Sequence, residues 1–321
     1  MSDSVSTGNN RSDAPQKRRG PMHDVWRRYR KSPIAMLGLF IVLAMLLTAI
    51  FADFIAPGDG SAPGYMIQDL GNRFQPPGRA FTTETDAYGN EVEVPGDFYI
   101  MGTDEFGRDI FARVVHGSRI SLLVGFIAVT ISMVTGVILG AIAGFYGGMA
   151  DNLIMRAIDI LLSIPAILLA ISIAAALEPG LFTVVIAVGI GAVPGYGRIM
   201  RASVLSVREQ EFIEAARSVG AGDFRIILKH ILPNCMAPII VQATMGMAYA
   251  ILWAAALSFL GLGIQPPTPE WGAMLNEARA DMVNAPHVAL FPSLAIFFTV
   301  LAFNLLGDGM RDALDPKIDR T

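Results

Sequence analysis

Charge is scarce in this 321-residue chain: Asp, Glu, Lys and Arg make up 16% of it, while 53% is hydrophobic. Soluble domains carry about a quarter charged residues, and a mean hydropathy of +0.50 agrees that much of this chain lies in a membrane. Cysteine is represented by Cys235 alone, which excludes an intrachain disulfide and a multi-cysteine metal site. The four histidines, His23, His116, His230 and His287, stand apart without His-x-x-x-His spacing. Each reads as a surface or interfacial side chain, and no metal site is expected. Lys17, Lys31, Lys229 and Lys317 are the only lysines, and none follows a glycine. A Walker A loop needs that lysine, so ATP hydrolysis has no seat on this chain and no cofactor is expected to be bound by it. The Ser/His and His/Glu constellations of an intramembrane hydrolase are missing too, and no catalytic residue is assigned.

What the chain does have is long apolar runs. A helix needs about 20 of them in succession to cross a bilayer, and segments 34–56, 120–145, 153–177, 181–200, 236–264 and 288–306 qualify. About six transmembrane helices follow. The first run is too long for a signal-peptide core, so it reads as a retained span. Before it lie Lys17, Arg18, Arg19, Arg27, Arg28, Arg30 and Lys31 with Trp26 and Tyr29, a basic cluster suited to the anionic cytoplasmic leaflet. Its place beside a span argues against nucleic acid. The next loop holds Glu84, Asp86, Glu91, Glu93 and Asp97 and reads as external. Alternation then puts both termini inside, with the loop bearing Arg198, Arg201, Arg208, Arg217, Arg225 and Lys229. Residues 1–24 read as a disordered tail, 25–57 as a basic segment with the first span, and 58–117 as an external loop or short hairpin rich in turn signals. Residues 118–308 form a five-span core with its inner loop at 201–235, and residues 309–321 form an inner tail.

That inner loop is a polar island between apolar runs. Arg208, Glu211, Glu214 and Arg217 recur at helical spacing, predicting one helix over 201–219 that Gly220-Ala221-Gly222 terminates. Asp223 is placed to cap a second helix, with Phe224, Ile227, Leu228 and Ile231 as its apolar stripe and Pro233 as its end. Two readings fit: a connector lying on the bilayer, or a small-residue surface, Ala215 and Ala216, gripped by a partner.

Glu214-Ala215-Ala216 with Gly220 and Ile231-Leu232-Pro233 resembles the signature loop of permease subunits of bacterial binding-protein-dependent ABC importers. Met101-Gly102-Thr103-Asp104-Glu105-Phe106-Gly107-Arg108-Asp109, Gly117-Ser118-Arg119-Ile120-Ser121-Leu122, Ala255-Ala256-Leu257-Ser258-Phe259-Leu260-Gly261, Pro266-Pro267-Thr268-Pro269-Glu270-Trp271-Gly272 and Asn304-Leu305-Leu306-Gly307-Asp308-Gly309 are similar to the dipeptide, oligopeptide and nickel branch. The resemblance implies an all-α integral membrane protein with the type I ABC importer permease fold and a cytoplasmic coupling helix. It also implies a bacterial inner-membrane location and the import of di- or oligopeptides, with nickel chelates, glutathione or another small solute as alternatives. Implied partners are membrane lipid, a second homologous permease, two ATP-binding subunits carrying ATP and Mg, and an extracytoplasmic substrate-binding protein. The ATPase-docking residues it implies are Glu214, Ala215, Ala216, Arg217, Gly220, Ile231 and Pro233. Ala254 stands where many relatives have glutamate, next to the bulky Trp253, and Val193-Pro194-Gly195-Tyr196 replaces Trp-Pro-Gly-Tyr. An ATP-independent facilitator is the alternative of a different class.

Remaining features carry several expectations each. Pro194, Tyr196, Trp253 and Ser258 are candidates for the pathway or its gate. Pro267, Glu270 and Trp271, in a proline-rigid outer segment, suit contact with a binding protein, or else Trp271 is an interfacial belt residue. Arg156 and Asp159 are spaced to pair along one helix face. Gly136-x-x-x-Gly140-x-x-x-Gly144 is a close-packing face, either for a second permease or for the chain's own spans. Pro165 and Pro194 allow spans to bend. Asp104, Glu105 and Asp109 sit beside glycine turns with no partner base.

Overall fold

Among the described residues five helices are long and apolar enough to cross a bilayer, and a bent helix pair provides up to a sixth crossing. The computed structural model describes residues 21–85 and 91–314. Residues 1–20 of the expected tail, 86–90 of the acidic segment and 315–321 of the expected inner tail lie outside the described residues.

Helix α1 (Pro21–Tyr29) leads into α2 (Pro33–Ile50), capped by Ser32, and a short α3 (Ala52–Ile55). An antiparallel hairpin follows, β1 (Gly78–Thr85) with β2 (Glu91–Tyr99), Gly78 opposite Tyr99. Asp109 caps α4 (Ile110–Tyr146), accepting from Phe111 N–H at 2.9 Å. At 37 residues and 1.5 Å per residue, α4 is about 55 Å long and overruns a 30 Å hydrocarbon core. Then come α5 (Gly148–Ser163), α6 (Ala166–Ala175), α7 (Leu181–Val207), α8 (Glu211–Ser218), α9 (Asp223–Ile226) and α10 (Leu232–Phe259). The chain closes with α11 (Trp271–Glu277) and α12 (Pro286–Leu314).

Helices α4 and α7 form the centre. The stripe of Gly136, Gly140 and Gly144 faces α7. A Cβ on Gly136 would meet Tyr196 Cβ at 2.5 Å, and one on Gly140 would meet Gly197 O at 2.4 Å. The close-packing face is therefore spent inside the chain, where backbones touch without side chains between them. Ser132 Oγ adds a bond to Gly189 O at 2.9 Å across the same seam.

The third crossing is broken. Ile164 is extended (φ −98°, ψ 129°), as a residue before proline must be, and α5 and α6 meet at 86° around Pro165. Pro194 lies inside α7, which continues through it. The expected Arg156–Asp159 pair does not form: Asp159 accepts from Arg198 Nη2 at 2.5 Å, and Asp151 is held by Arg201 Nε and Nη2 at 2.5 and 2.6 Å. The pairing runs between α5 and α7 because these helices pack side by side. Two of the four histidines are buried rather than at a surface, His116 against Ala56 O at 3.0 Å and His287 against Thr103 O at 3.2 Å.

Candidate functional site

One end of the bundle carries α8 and α9, the other the hairpin, and the two are built differently. At the α8 end, α7 stops at Val207, so the single helix expected over 201–219 is two. The break falls at Gln210, whose backbone is extended (φ −84°, ψ 143°). Just before it Arg208 Nη1 donates to Gly144 O at 2.9 Å, satisfying one of the carbonyls that the end of α4 leaves open. Helix α8 has Glu211 and Glu214 in its first turn and Arg217 in its last, the charge order that a helix dipole favours.

Gly220 ends α8 with φ +83°. Its N–H donates to Arg217 O at 2.9 Å and that of Ala221 to Ala216 O at 3.1 Å, the Schellman closure that requires a left-handed backbone at this position. Nothing lies within 4 Å of where a Cβ would stand. The demand for glycine is conformational, not steric. Gly222 flanks α9 and Asp223 sits inside its first turn, so Asp223 does not act as the cap.

Burial sorts the expected docking residues. Glu214, Ala215, Arg217, Gly220 and Pro233 are exposed. Ala216 and Ile231 are buried in the main core with Ile213, Ile226, Phe145 and Val204. They anchor the element to the spans and offer no surface, a correction: for Ala216 the 3.6-residue period turns that face of α8 inward, and Ile231 is packed in the core at the end of the turn that precedes α10. Arg217 leans over the Phe145 ring, 5.5 Å from its centroid, and Arg208, Glu209, Glu214 and Asp223 line an open polar groove of about 750 Å³ beside it. Val219 and Phe224 are 85% and 76% exposed on either side of the glycine turn. Phe224 belongs to the expected apolar stripe, and Val219 is a residue the sequence pattern did not single out; apolar side chains flanking a polar turn are its signal.

Pro233 does not end a helix either. It stands in the first turn of α10, behind a π turn over Ile227–Ile231 in which Leu232 N–H reaches Ile227 O. Proline lacks an N–H and crowds the carbonyl four residues back, and the wider turn accommodates both. Asn234 Nδ2 then donates to His230 O at 2.6 Å. The run Asp223–Phe259 is one continuous helical stretch long and apolar enough to cross a bilayer, so α9 is joined to α10 with no loop between them.

Between α4, α5, α7 and α10 lies a cavity of about 220 Å³, lined by Ser132, Tyr196, Gln242, Tyr249 and Trp253 among others, with no acidic or basic side chain among the described lining residues. Tyr196 Oη donates to Gln242 O at 3.3 Å and fills the space above Gly246. Of the four pathway candidates, Tyr196 and Trp253 reach this cavity. Pro194 is buried in α7 without lining it, and Ala254 is buried in the core beside Trp253. Ser258 lies apart, its hydroxyl accepting from Ile264 N–H at 3.4 Å.

At the hairpin end the polar groups are turned inward. Asp104 Oδ2 accepts from Arg108 Nε and Arg113 Nη1, each at 2.7 Å, while Glu277 takes Arg113 Nη2 at 2.6 Å and Arg108 Nη2 at 3.2 Å. Both arginines and Asp104 are almost fully buried. Glu270 and Trp271 were expected to meet a partner, but they are 2% and 1% exposed. Glu270 caps α11 through Gly272 and Ala273 N–H at 3.0 and 2.8 Å, and burial pushes its carboxyl above the ordinary range. Trp271 Nε1 donates to Val114 O at 3.0 Å, its ring packed on Gly117. Both are fastenings between α11 and α4, and the belt-residue reading of Trp271 goes with them. Pro267 is the exposed member of the three.

Comparison with known proteins bears on both ends. The family described as binding-protein-dependent transport system inner membrane component matches residues 136–320, and the N-terminal transmembrane domain of oligopeptide transport permease C matches residues 20–77. The glutathione transport system permease protein GsiD of Escherichia coli O157:H7 is 50% identical over 304 residues, 95% of this chain and 93% of that protein. The protein of the same name from Shigella dysenteriae serotype 1 (strain Sd197) is 49% identical with the same coverage. A solved structure of inward facing conformations of the MetNI methionine ABC transporter aligns with a TM-score of 0.51 at 20% identity, covering 64% of this chain and 98% of that one. At that identity the likeness carries the fold alone.

Proposed function

The chain belongs to the family of binding-protein-dependent transport system inner membrane components, the multi-pass permeases of ABC importers, and from that premise we propose that its cargo is a short peptide, glutathione first. The observation that carries this reading is the 50% identity to a glutathione permease along nearly the whole of both chains. The oligopeptide permease match over residues 20–77 makes other short peptides the second choice. A cavity walled by tyrosine, tryptophan and amide groups, without fixed charge among its described lining residues, suits a short peptide whose amides it can meet and that must be released rather than held.

In this reading a second permease completes the pathway at Tyr196 and Trp253. Two ATP-binding subunits grip the cytoplasmic loops, here through Glu214, Ala215, Arg217 and Gly220 with Val219 and Phe224 as apolar knobs. Pro233 and the π turn pass the resulting swing to α10. A substrate-binding protein approaches the opposite end near Pro267, and both chain termini lie in the cytoplasm. ATP closure opens the pathway outward and hydrolysis resets it.

The test is uptake by the complete transporter in proteoliposomes, with ATP inside and its binding protein outside. Labelled glutathione should accumulate and be displaced by short peptides more weakly than by itself. Accumulation of a nickel chelate but of neither peptide class would overturn the cargo; uptake without ATP would overturn the mechanism.

A further inference from the structure

An apolar groove of about 590 Å³ opens on the outside of the bundle between α2, α4, α10 and α12, with Val42, Leu46, Leu122, Phe126, Met247 and Phe303 in its walls. One polar side chain, Arg119, stands among the lining residues. Its guanidinium is fixed in place: Nε donates to Ala49 O, Nη2 to Ile50 O at 2.9 Å and Nη1 to Asp53 Oδ1 at 3.0 Å. The two carbonyls belong to the last turn of α2, which leaves them open. Asp53 nonetheless remains 76% exposed and Arg119 35% exposed, so one anion and one cation stand side by side in the open. The Arg119 hydrogen bond holds the Asp53 carboxyl below its ordinary range, which keeps it ionised at neutral pH.

The depth of this pair is set by α2. Its 18 residues span about 27 Å, close to the roughly 30 Å of a hydrocarbon core. Asp53 lies just past that end, between Phe51 and Phe54, which are 53% and 86% exposed. Such aromatic rings are poorly placed in water and well placed at the boundary of acyl chains and headgroups.

We propose that this groove holds an acyl chain of a phospholipid with a primary-ammonium zwitterionic headgroup, the ammonium on Asp53 and the phosphate on Arg119. The charge pattern selects this chemistry. A purely anionic headgroup meets the Asp53 carboxylate, and a quaternary ammonium has no N–H to donate to it. Seated there, the lipid splints α2 to the other three helices that wall the groove.

The test is native mass spectrometry of the whole transporter taken from membranes of equal phosphatidylethanolamine, phosphatidylcholine and phosphatidylglycerol. Wild type should retain phosphatidylethanolamine above the other two. Asp53→Asn should lower that preference by about fivefold, the weight of one partly exposed charge contact. Leu46→Trp, or Leu123→Trp from the facing wall, fills the groove and should remove the retained lipid altogether. Retention of the three lipids in bulk proportion, or a preference unchanged in Asp53→Asn, overturns the proposal. So does cross-linking of Leu46→Cys to a neighbouring protein subunit, which would give the groove to a partner helix.

Discussion

The two ends of the bundle handle charge in opposite ways. At the hairpin end the buried Asp104, Arg108 and Arg113 and the half-buried Glu277 are paired with one another. At the α8 end Glu214, Arg217 and Asp223 stand exposed around an open groove, with Val219 and Phe224 uncovered beside them. The first end pairs its charges within this chain, while apolar side chains such as Phe98 and Val283 remain 67% and 91% exposed there. The second presents an open polar groove with two exposed apolar side chains beside it, the surface on which the proposed ATPase dock rests. A polar island between spans can therefore mean a fastening or a dock, and what decides is whether partners lie elsewhere on the same chain.

The sharpest way to break the contrast is Arg113→Ala. It strips Asp104 and Glu277 of one cation inside a closed network, and a broken buried pair costs about 3–5 kcal/mol. The expected outcome is a large fall in the thermal transition of the purified complex and poor recovery from the membrane. The double variant Arg113→Ala with Asp104→Ala should cost less than the two singles added, since no lone charge then remains. Full additivity would show that the four groups do not act as one unit.

Glu270 gives a smaller effect at the same end. Ala in its place leaves two helix N–H groups uncapped in a buried site, worth about 1–3 kcal/mol, whereas Gln keeps an acceptor and removes the charge. Burial raises the folded-state carboxyl above its unfolded value. Its contribution is therefore fully present below the ordinary carboxylate range and fades as pH rises through the raised value. Thermal scans from acid to neutral pH should show wild type losing more stability than Glu270→Gln. A parallel response in both would remove Glu270 from the account.

At the α8 end the expected effects on stability shrink while those on transport grow. Gly220→Ala forces an L-residue into φ +83° at about 1 kcal/mol, and Gly220→Pro also deletes the bond to Arg217 O. Both should insert normally and lose ATP-driven uptake, Pro more than Ala. Undiminished uptake with Gly220→Pro would separate the turn from coupling.

These contrasts also explain what was legible in the sequence. The spans were readable because a bilayer imposes a length on each of them separately. The Gly220 stop was readable because a left-handed turn is a local demand. The Asp104–Glu277 network was hidden, since 169 positions separate Arg108 from Glu277 and no local pattern encodes the meeting. For the same reason Asp159 was assigned to Arg156 on its own helix when its true partner, Arg198, is on α7. Prolines and a turn around Glu270 and Trp271 suggest a contact surface or an interfacial belt, yet the turn aims both side chains inward. Pro233 carries the signature of a helix stop, because a π turn that absorbs proline leaves no mark in residue type.

The smallest structural change should then be the most informative. Glu214 is exposed, rims the groove and makes no side-chain hydrogen bond or ion pair to this chain among the described residues. Glu214→Arg should therefore shift stability by no more than about 0.5 kcal/mol, as surface substitutions do. The same change reverses a charge in the first turn of α8, where the helix dipole favours an anion, and presents an ATP-binding subunit with the wrong sign. The expected result is an intact, normally melting permease that no longer retains its ATPase in a mild-detergent pull-down and no longer takes up cargo. If the melt falls as far as that of Arg113→Ala, the α8 end is a fastening like its opposite, and the distinction between the two ends is lost. If the ATPase stays bound and uptake persists, the grip lies on Val219 and Phe224, and the charges merely solvate the turn.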